Sequence, residues 1–324
     1  MADRAGPASH RRHAWIGLAL MIFANGAPAQ ESSLRTSDVD IPSGQEPIMP
    51  IPRPAAADPL KLALGERLFE DPRLSGDGTR ACSSCHDTRT NGADGRRLGK
   101  ASDGSDLPFN TSTVFNAALS FRFSWTGGFR TLEAQAEASL ENPMVMGARV
   151  DEAVGRLSAD ADIARRFRAV YGHEPDRAAI LDAIAAYERS LLTPESRFDR
   201  WLGGDATALS ADERTGYQLF KSLGCIACHQ GVNVGGNLFE RHGIFHSLAS
   251  PEPKILRVPS LRNVATTPPY FHDGSTATLS DAIRKMGVAQ LDRTLSDPQV
   301  TAIAAFLNSL SGTYQGRPVG PAAR

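Results

Sequence analysis

The sequence predicts a mainly α-helical chain organised as two domains. Three observations carry that prediction. All four cysteines fall in two copies of one pattern, Cys82-Ser83-Ser84-Cys85-His86 and Cys225-Ile226-Ala227-Cys228-His229, 143 positions apart. Apolar residues recur at helical spacing through much of the remainder. Between the helical patterns lie stretches rich in Gly, Asn, Pro and Asp, at 87–112 and 230–275. Loops of that length are uncommon in a compact domain unless they wrap a functional site. C-x-x-C-H is the attachment signature of c-type haem: each thiol bonds a haem vinyl group, and the following histidine turns beneath the iron as an axial ligand. Two motifs with no cysteine left over predict two covalently bound haem c groups. The fold class that follows is mainly α, two cytochrome c-like helical domains, each wrapped around one covalent haem whose apolar ring supplies the core that the loops lack.

Other uses of paired cysteines fit less well. Zinc ribbons place their C-x-x-C pairs about 15–20 residues apart. A thioredoxin-like redox pair needs a βαβ setting that neither motif has. Two structural disulfides suit an exported chain but leave the histidine after each pair unexplained.

The first residues read as a secretory signal, 1–29: Arg4, Arg11 and Arg12 precede an apolar run from Ala14 to Phe23, and Ala27-Pro28-Ala29 offers a cleavage site. That run is shorter than the roughly 20 residues that span a bilayer, and no later segment is apolar enough to do so. The expected location is the periplasm, with no membrane span after cleavage. Residues 30–57, rich in Ser, Pro and Ala, read as a flexible linker. An N-terminal haem domain is expected over 58–204 and a C-terminal one over 205–324, with the break at Gly203-Gly204. Lys plus Arg number 35 and Asp plus Glu 36, a balance that gives no reason to expect nucleic acid as a partner.

Ile180, Leu181, Ile184, Ala185, Tyr187, Leu191 and Leu192 share a helix face. Asp151 is expected to cap a helix carrying Val154 and Leu157, and Ser280 one carrying Ile283 and Met286. Val300, Ile303, Ala304 and Leu307 predict a last helix, followed by an irregular tail after Leu310.

The order of motifs over residues 58–312 resembles the bacterial di-haem cytochrome c peroxidase family, including its relative that matures methylamine dehydrogenase. The matching elements are Leu68-Phe-Glu-Asp-Pro-Arg-Leu-Ser-Gly-Asp-Gly78, Asn110-Thr-Ser-Thr-Val-Phe-Asn116, Trp125, Leu132-Glu-Ala-Gln-Ala136, Arg257-Val-Pro-Ser-Leu-Arg-Asn263, and Pro269-Tyr-Phe-His-Asp-Gly274 with Thr278-Leu279. The resemblance implies a C-terminal haem fed by a small soluble electron donor (a cytochrome c or cupredoxin), an N-terminal haem that meets hydrogen peroxide, Trp125 as a bridge between them, and a homodimer. It implies Met286, 57 residues beyond His229, as the sixth ligand of the second haem, with His242, His246 and His272 as rivals or propionate neighbours. It also implies a calcium ion held by Asn110 and by backbone oxygens of Thr267 and Pro269.

The chain departs from that pattern at the first haem. No histidine stands between His86 and Phe109, and Ser102 takes the place of the family's distal histidine. The expected state is a first haem with His86 as its one strong ligand and an open sixth position. The maturation relative also lacks that histidine, but uses a tyrosine where this chain has Met286. Gln135 matches the family's catalytic glutamine, whereas the family's glutamate is replaced by Val145, which can neither give nor take a proton. Glu141, four residues earlier, is the candidate replacement, and Met144 and Met146 make the neighbourhood rich in oxidisable sulfur. Three functions follow as alternatives: reduction of peroxide to water, oxidation of another molecule through the same haems, and a non-enzymatic electron carrier or haem sensor.

Overall fold

The computed structural model describes residues 46–248, 250 and 252–321; the expected signal peptide and the first part of the expected linker lie outside them. The chain runs through helices α1 (Pro59–Phe69), α2 (Leu132–Glu141), α3 (Val150–Ser158), α4 (Ala161–Tyr171), α5 (Arg177–Ser190), α6 (Arg197–Leu202), α7 (Ala211–Ser222), α8 (Leu279–Leu291) and α9 (Asp297–Asn308). Two antiparallel pairs complete the described elements: β1 (Phe239–Arg241) with β2 (Ile255–Arg257), and β3 (Thr313–Tyr314) with β4 (Arg317–Pro318). Both haem-attachment motifs form single turns of 3-10 helix, Cys82–Ser84 and Cys225–Ala227.

The helices begin where side chains satisfy their first N–H groups. Asp58 accepts from Leu60 N ahead of α1, with Pro59 at the first helical position. Ser210 and Glu213 close a reciprocal capping box on α7. Two expected caps are corrected. Helix α3 starts at Val150, so Asp151 lies in its first turn, where a carboxylate favours the positive end of the helix dipole. Helix α8 is capped by Thr278, because Thr278 is extended (φ −117°) and its hydroxyl meets Asp281 N; Ser280 is the second helical residue.

Two apolar cores form. The first gathers Leu64, Leu68, Phe69, Leu140, Leu157, Phe167, Ile180, Ile184 and Tyr187 from α1 to α5. The second gathers Phe198, Trp201, Tyr217, Phe220, Ile303, Phe306 and Leu307 from α6, α7 and α9. The changeover falls between Leu191 and Phe198, ahead of Gly203-Gly204. Each fully buried Leu or Phe contributes about 1.5–3 kcal/mol.

The ends cross over. Residues 46–51 are not a flexible linker but a strap docked on the second core: Ile48 and Ile51 are buried, Gly231 N donates to Pro47 O (2.9 Å), and Ile51 N donates to Asp199 Oδ1 (3.2 Å). Arg262, wholly buried, pairs with Asp199 (2.8 Å) and donates to Met49 O (2.7 Å), fixing strap, α6 and loop together. The tail after Leu310 is ordered as well. It forms β3–β4, lays Tyr314 on Phe115 (ring centroids 5.0 Å) and buries Val319 in the first core.

The two halves repeat one frame. Helix α1 packs on α5 as α7 packs on α9. At each crossing a glycine is required: a Cβ at Gly65 would collide with the Ala183 carbonyl, and one at Gly216 with that of Ala302. Asn116 and Asn263 both adopt φ 60°, and both donate through Nδ2 to the buried hydroxyl of Thr193 (2.8 and 3.0 Å). Helices α3 and α4 have no counterpart among the described residues of the second half.

Candidate functional site

Each attachment motif positions its histidine the same way. In both, the His N–H closes a turn onto the first cysteine's carbonyl, His86 N to Cys82 O (2.9 Å) and His229 N to Cys225 O (3.0 Å). His86 Nδ1 lies 3.2 Å from Gly92 O, and His229 Nδ1 lies 3.2 Å from Val234 O. A carbonyl can only accept, so each Nδ1 carries the proton and each Nε2 the lone pair that an iron ligand needs. Burial holds both imidazoles neutral: it lowers His86, and takes His229 down to about 4.

The cysteines fit covalent haem. All four are unpaired and partly buried. Burial raises the thiol of Cys82 to about 12 and that of Cys225 to about 11, which disfavours the thiolate that zinc demands. Among the described residues no group of three or more His, Cys, Asp or Glu side chains could hold a metal ion, so the four cysteines do not form a shared zinc site.

Trp125 lies where the halves meet. Its indole N–H donates to Asn110 O (2.8 Å), and its own carbonyl accepts from Arg257 N (2.9 Å). Asn110 N in turn donates to His272 O (2.7 Å), and the Trp125 and His272 rings stand edge to face with centroids 6.4 Å apart. The turn that presents Trp125, with φ 70° at Ser124 and φ 64° at Gly127, is repeated around His272, with φ 70° at Phe271 and φ 59° at Gly274. His272 is buried, its Nε2 has no protein partner, and it is lowered chiefly by burial. An orphaned nitrogen there fits the carboxylate edge of a haem. His242 packs on it (4.7 Å) and gives Nε2 to Pro253 O, while exposed His246 pairs with Asp292. Asn110 spends Nδ2 on Arg96 O (2.8 Å), and its N–H on His272 O brings it beside the segment that begins at Pro269, one of the two other residues of the expected calcium site.

Gln135 projects from α2 and donates Nε2 to Ser139 Oγ (2.8 Å). Residues four apart share a helix face, whereas six apart do not. Glu141 accordingly turns away, into an exposed ion cluster with Glu137 around Arg177 (3.0 and 2.6 Å). The turn after α2 is tight: Asn142 O accepts from Val145, Met146 and Gly147 N. It points Val145 and buried Met146 into the first core and leaves Met144 exposed. Ser102 bridges to this turn, donating N to Met144 O (3.0 Å) and Oγ to Pro143 O (3.2 Å).

Sequence reasoning missed two groups. One is Ser139, detectable only by its four-residue spacing from Gln135. The other is Glu188, 8% exposed on α5 with Oε2 unpartnered; burial first and Glu133 second raise it to about 8.

A helical frame used twice, each copy carrying C-x-x-C-H with its histidine set for iron, defines a di-haem c-type cytochrome. Comparison with known proteins gives the family. The family model described as di-haem cytochrome c peroxidase matches residues 59–207, and that for cytochrome c matches residues 214–311. The chain is 36% identical to the cytochrome c551 peroxidase of Nitrosomonas europaea, over 83% of this chain and 85% of that one. It is 40% identical to the cytochrome c peroxidase Ccp of Escherichia coli over 83% of this chain, but spans 62% of that relative's length. It is 34% identical to the methylamine utilization protein MauG of Methylorubrum extorquens, over 71% and 69% of the two chains. Among solved structures, a MauG-like protein associated with microbial copper homeostasis superposes with a TM-score of 0.67 at 30% identity, covering 80% of this chain and 93% of that one. The chain belongs to the di-haem cytochrome c peroxidase family, and membership implies two c-type haems.

Proposed function

We propose that the protein is a periplasmic peroxidase that reduces hydrogen peroxide to water, taking two electrons and two protons per peroxide, with a small soluble cytochrome or cupredoxin as donor. The observation that carries this reading is the unequal furnishing of the two haem sites. The second half carries Met286 on α8, which this reading takes as the sixth ligand, whereas the first half carries Gln135 and Ser139 on α2 and has no histidine between His86 and Phe109. Bound haem supplies the one-electron and peroxide chemistry. The chain's own residues bind and orient. Cys82, Cys85 and His86 hold the first haem, and Cys225, Cys228, His229 and Met286 the second. Trp125, hydrogen-bonded to Asn110 and packed on His272, bridges the two. Gln135 holds a peroxide oxygen through its amide and stabilises separating charge. Calcium on Asn110, Thr267 and Pro269 would rely on oxygen atoms, as a hard cation prefers.

Val145 and the engagement of Glu141 by Arg177 leave no side-chain carboxylate assigned to the proton transfer, which favours a second reading: oxidation of another molecule or protein by the same haems. Steady-state peroxide reduction by the holoprotein with a reduced small cytochrome separates the two. Turnover that Gln135→Ala sharply lowers supports the peroxidase; rates near those of free haem, despite two intact haems, refute it.

A further inference from the structure

Gln135 and Met286 lie on helices set in matching frames. Thr131 caps α2 by accepting from Ala134 N (3.1 Å), and Thr278 caps α8 by accepting from Asp281 N (3.1 Å). The turns before them close through matching bridges, Phe123 with Phe129 and Tyr270 with Thr276. Counted from these caps, the eighth helical residue is Met286 in α8 and Ser139 in α2. An α-helix turns by about 100° and rises about 1.5 Å per residue, so equal caps and equal counts put the two side chains at the same height on the same helix face. Both are half-buried.

We propose that Ser139 leaves the first haem without a ligand from α2, just as 87–108 offers it no histidine, and that Ser139 positions Gln135 for a small ligand. This rests on the reading of Met286 as the second haem's sixth ligand. Where the second half presents a soft thioether, the first presents a neutral hydroxyl, which is a poor ligand for haem iron and ends one bond closer to the backbone. The hydroxyl acts instead on Gln135. By accepting from Nε2 (2.8 Å), Ser139 fixes the amide plane, leaving Oε1 and the second N–H for hydrogen peroxide or a ligand of similar size. Ser139 is a positioning residue and does not itself touch the reacting atoms.

Cyanide binding to the oxidised holoprotein tests this, because cyanide reports an open haem without turnover. The expected results are binding at the first haem of the unaltered protein, and an affinity weakened roughly tenfold or more in Ser139→Met, with a new low-spin signal and an unchanged second haem. Ser139→Ala is expected to retain cyanide binding while kcat/KM for peroxide falls roughly fivefold at unchanged donor KM, and Ser139→Thr to restore it. Unchanged cyanide affinity in Ser139→Met overturns the proposal, as does a first haem already low-spin and inert to cyanide in the unaltered protein. Should Ser139→Met not fold with its haems, Ser139→Ala decides, and wild-type kinetics there overturn it. Cyanide binding that Ser139→Met blocks, in a protein that does not turn over peroxide, would sustain the role of Ser139 and remove the peroxidase reading.

Discussion

The two halves of the chain share a frame and differ in what they place on it. Both cross a glycine-bearing helix over a later one, both set a neutral histidine beside its C-x-x-C turn, and both anchor a left-handed asparagine on Thr193. Against that sameness the differences stand out as pairs. Ser139 occupies the position that Met286 has in the second half, Gln135 that of Ala282, Trp125 that of His272, and Glu188 in α5 that of Leu307 in α9. On the proposed reading, the second half is furnished to hold a haem shut and the first to admit a ligand. The repeated frame supplies a scaffold in both halves, and the proposed function has a few side chains divide the labour between electron entry and chemistry.

Exchanging side chains between the halves tests that division. The largest effect is expected at Gln135. Gln135→Ala gives the first half the alanine of the second, and should lower kcat/KM for peroxide about 10²–10³-fold with both haem spectra intact, as stopped-flow kinetics would read. A loss below twofold would show that the amide is not aimed at the ligand. Next comes Met286→Ala, which should open the second haem to cyanide and lower donor-driven turnover about 10–100-fold. A second haem still closed would assign its sixth ligand to another residue.

The smallest effect on turnover is expected at Glu188. Its carboxyl is raised to about 8 by burial, so folding keeps a proton that the unfolded chain releases near pH 4.5. Stability is therefore full below about pH 4.5 and declines as pH rises to about 8, by on the order of 1 kcal/mol per unit. Glu188→Leu, the second half's residue, should flatten the thermal midpoint across that window. An unchanged pH profile would mean that the carboxyl finds a partner.

Much of this was legible in the sequence because covalent chemistry writes itself locally. C-x-x-C-H names its cofactor, and the 3.6-residue period located α5 and α9. Caps were misplaced at Asp151 and Ser280, since a carboxylate or hydroxyl near a helix start can serve either as cap or in the first turn. The strap at 46–51 read as linker because proline-rich composition reports stiffness but not docking; its anchor, Arg262, lies over 200 positions away. Glu141 is a candidate for a similar reason. Closeness along the chain put it near Gln135, but the helix turned it toward Arg177. The internal repeat was masked because its most telling pairs, Trp125 with His272 and Ser139 with Met286, share backbone conformation and not chemistry.

The division of labour is tested most directly by electron paramagnetic resonance of the oxidised, resting holoprotein. Unequal halves predict one high-spin haem, open beside Gln135 and Ser139, and one low-spin haem held by His229 and Met286. Two low-spin haems would contradict the account.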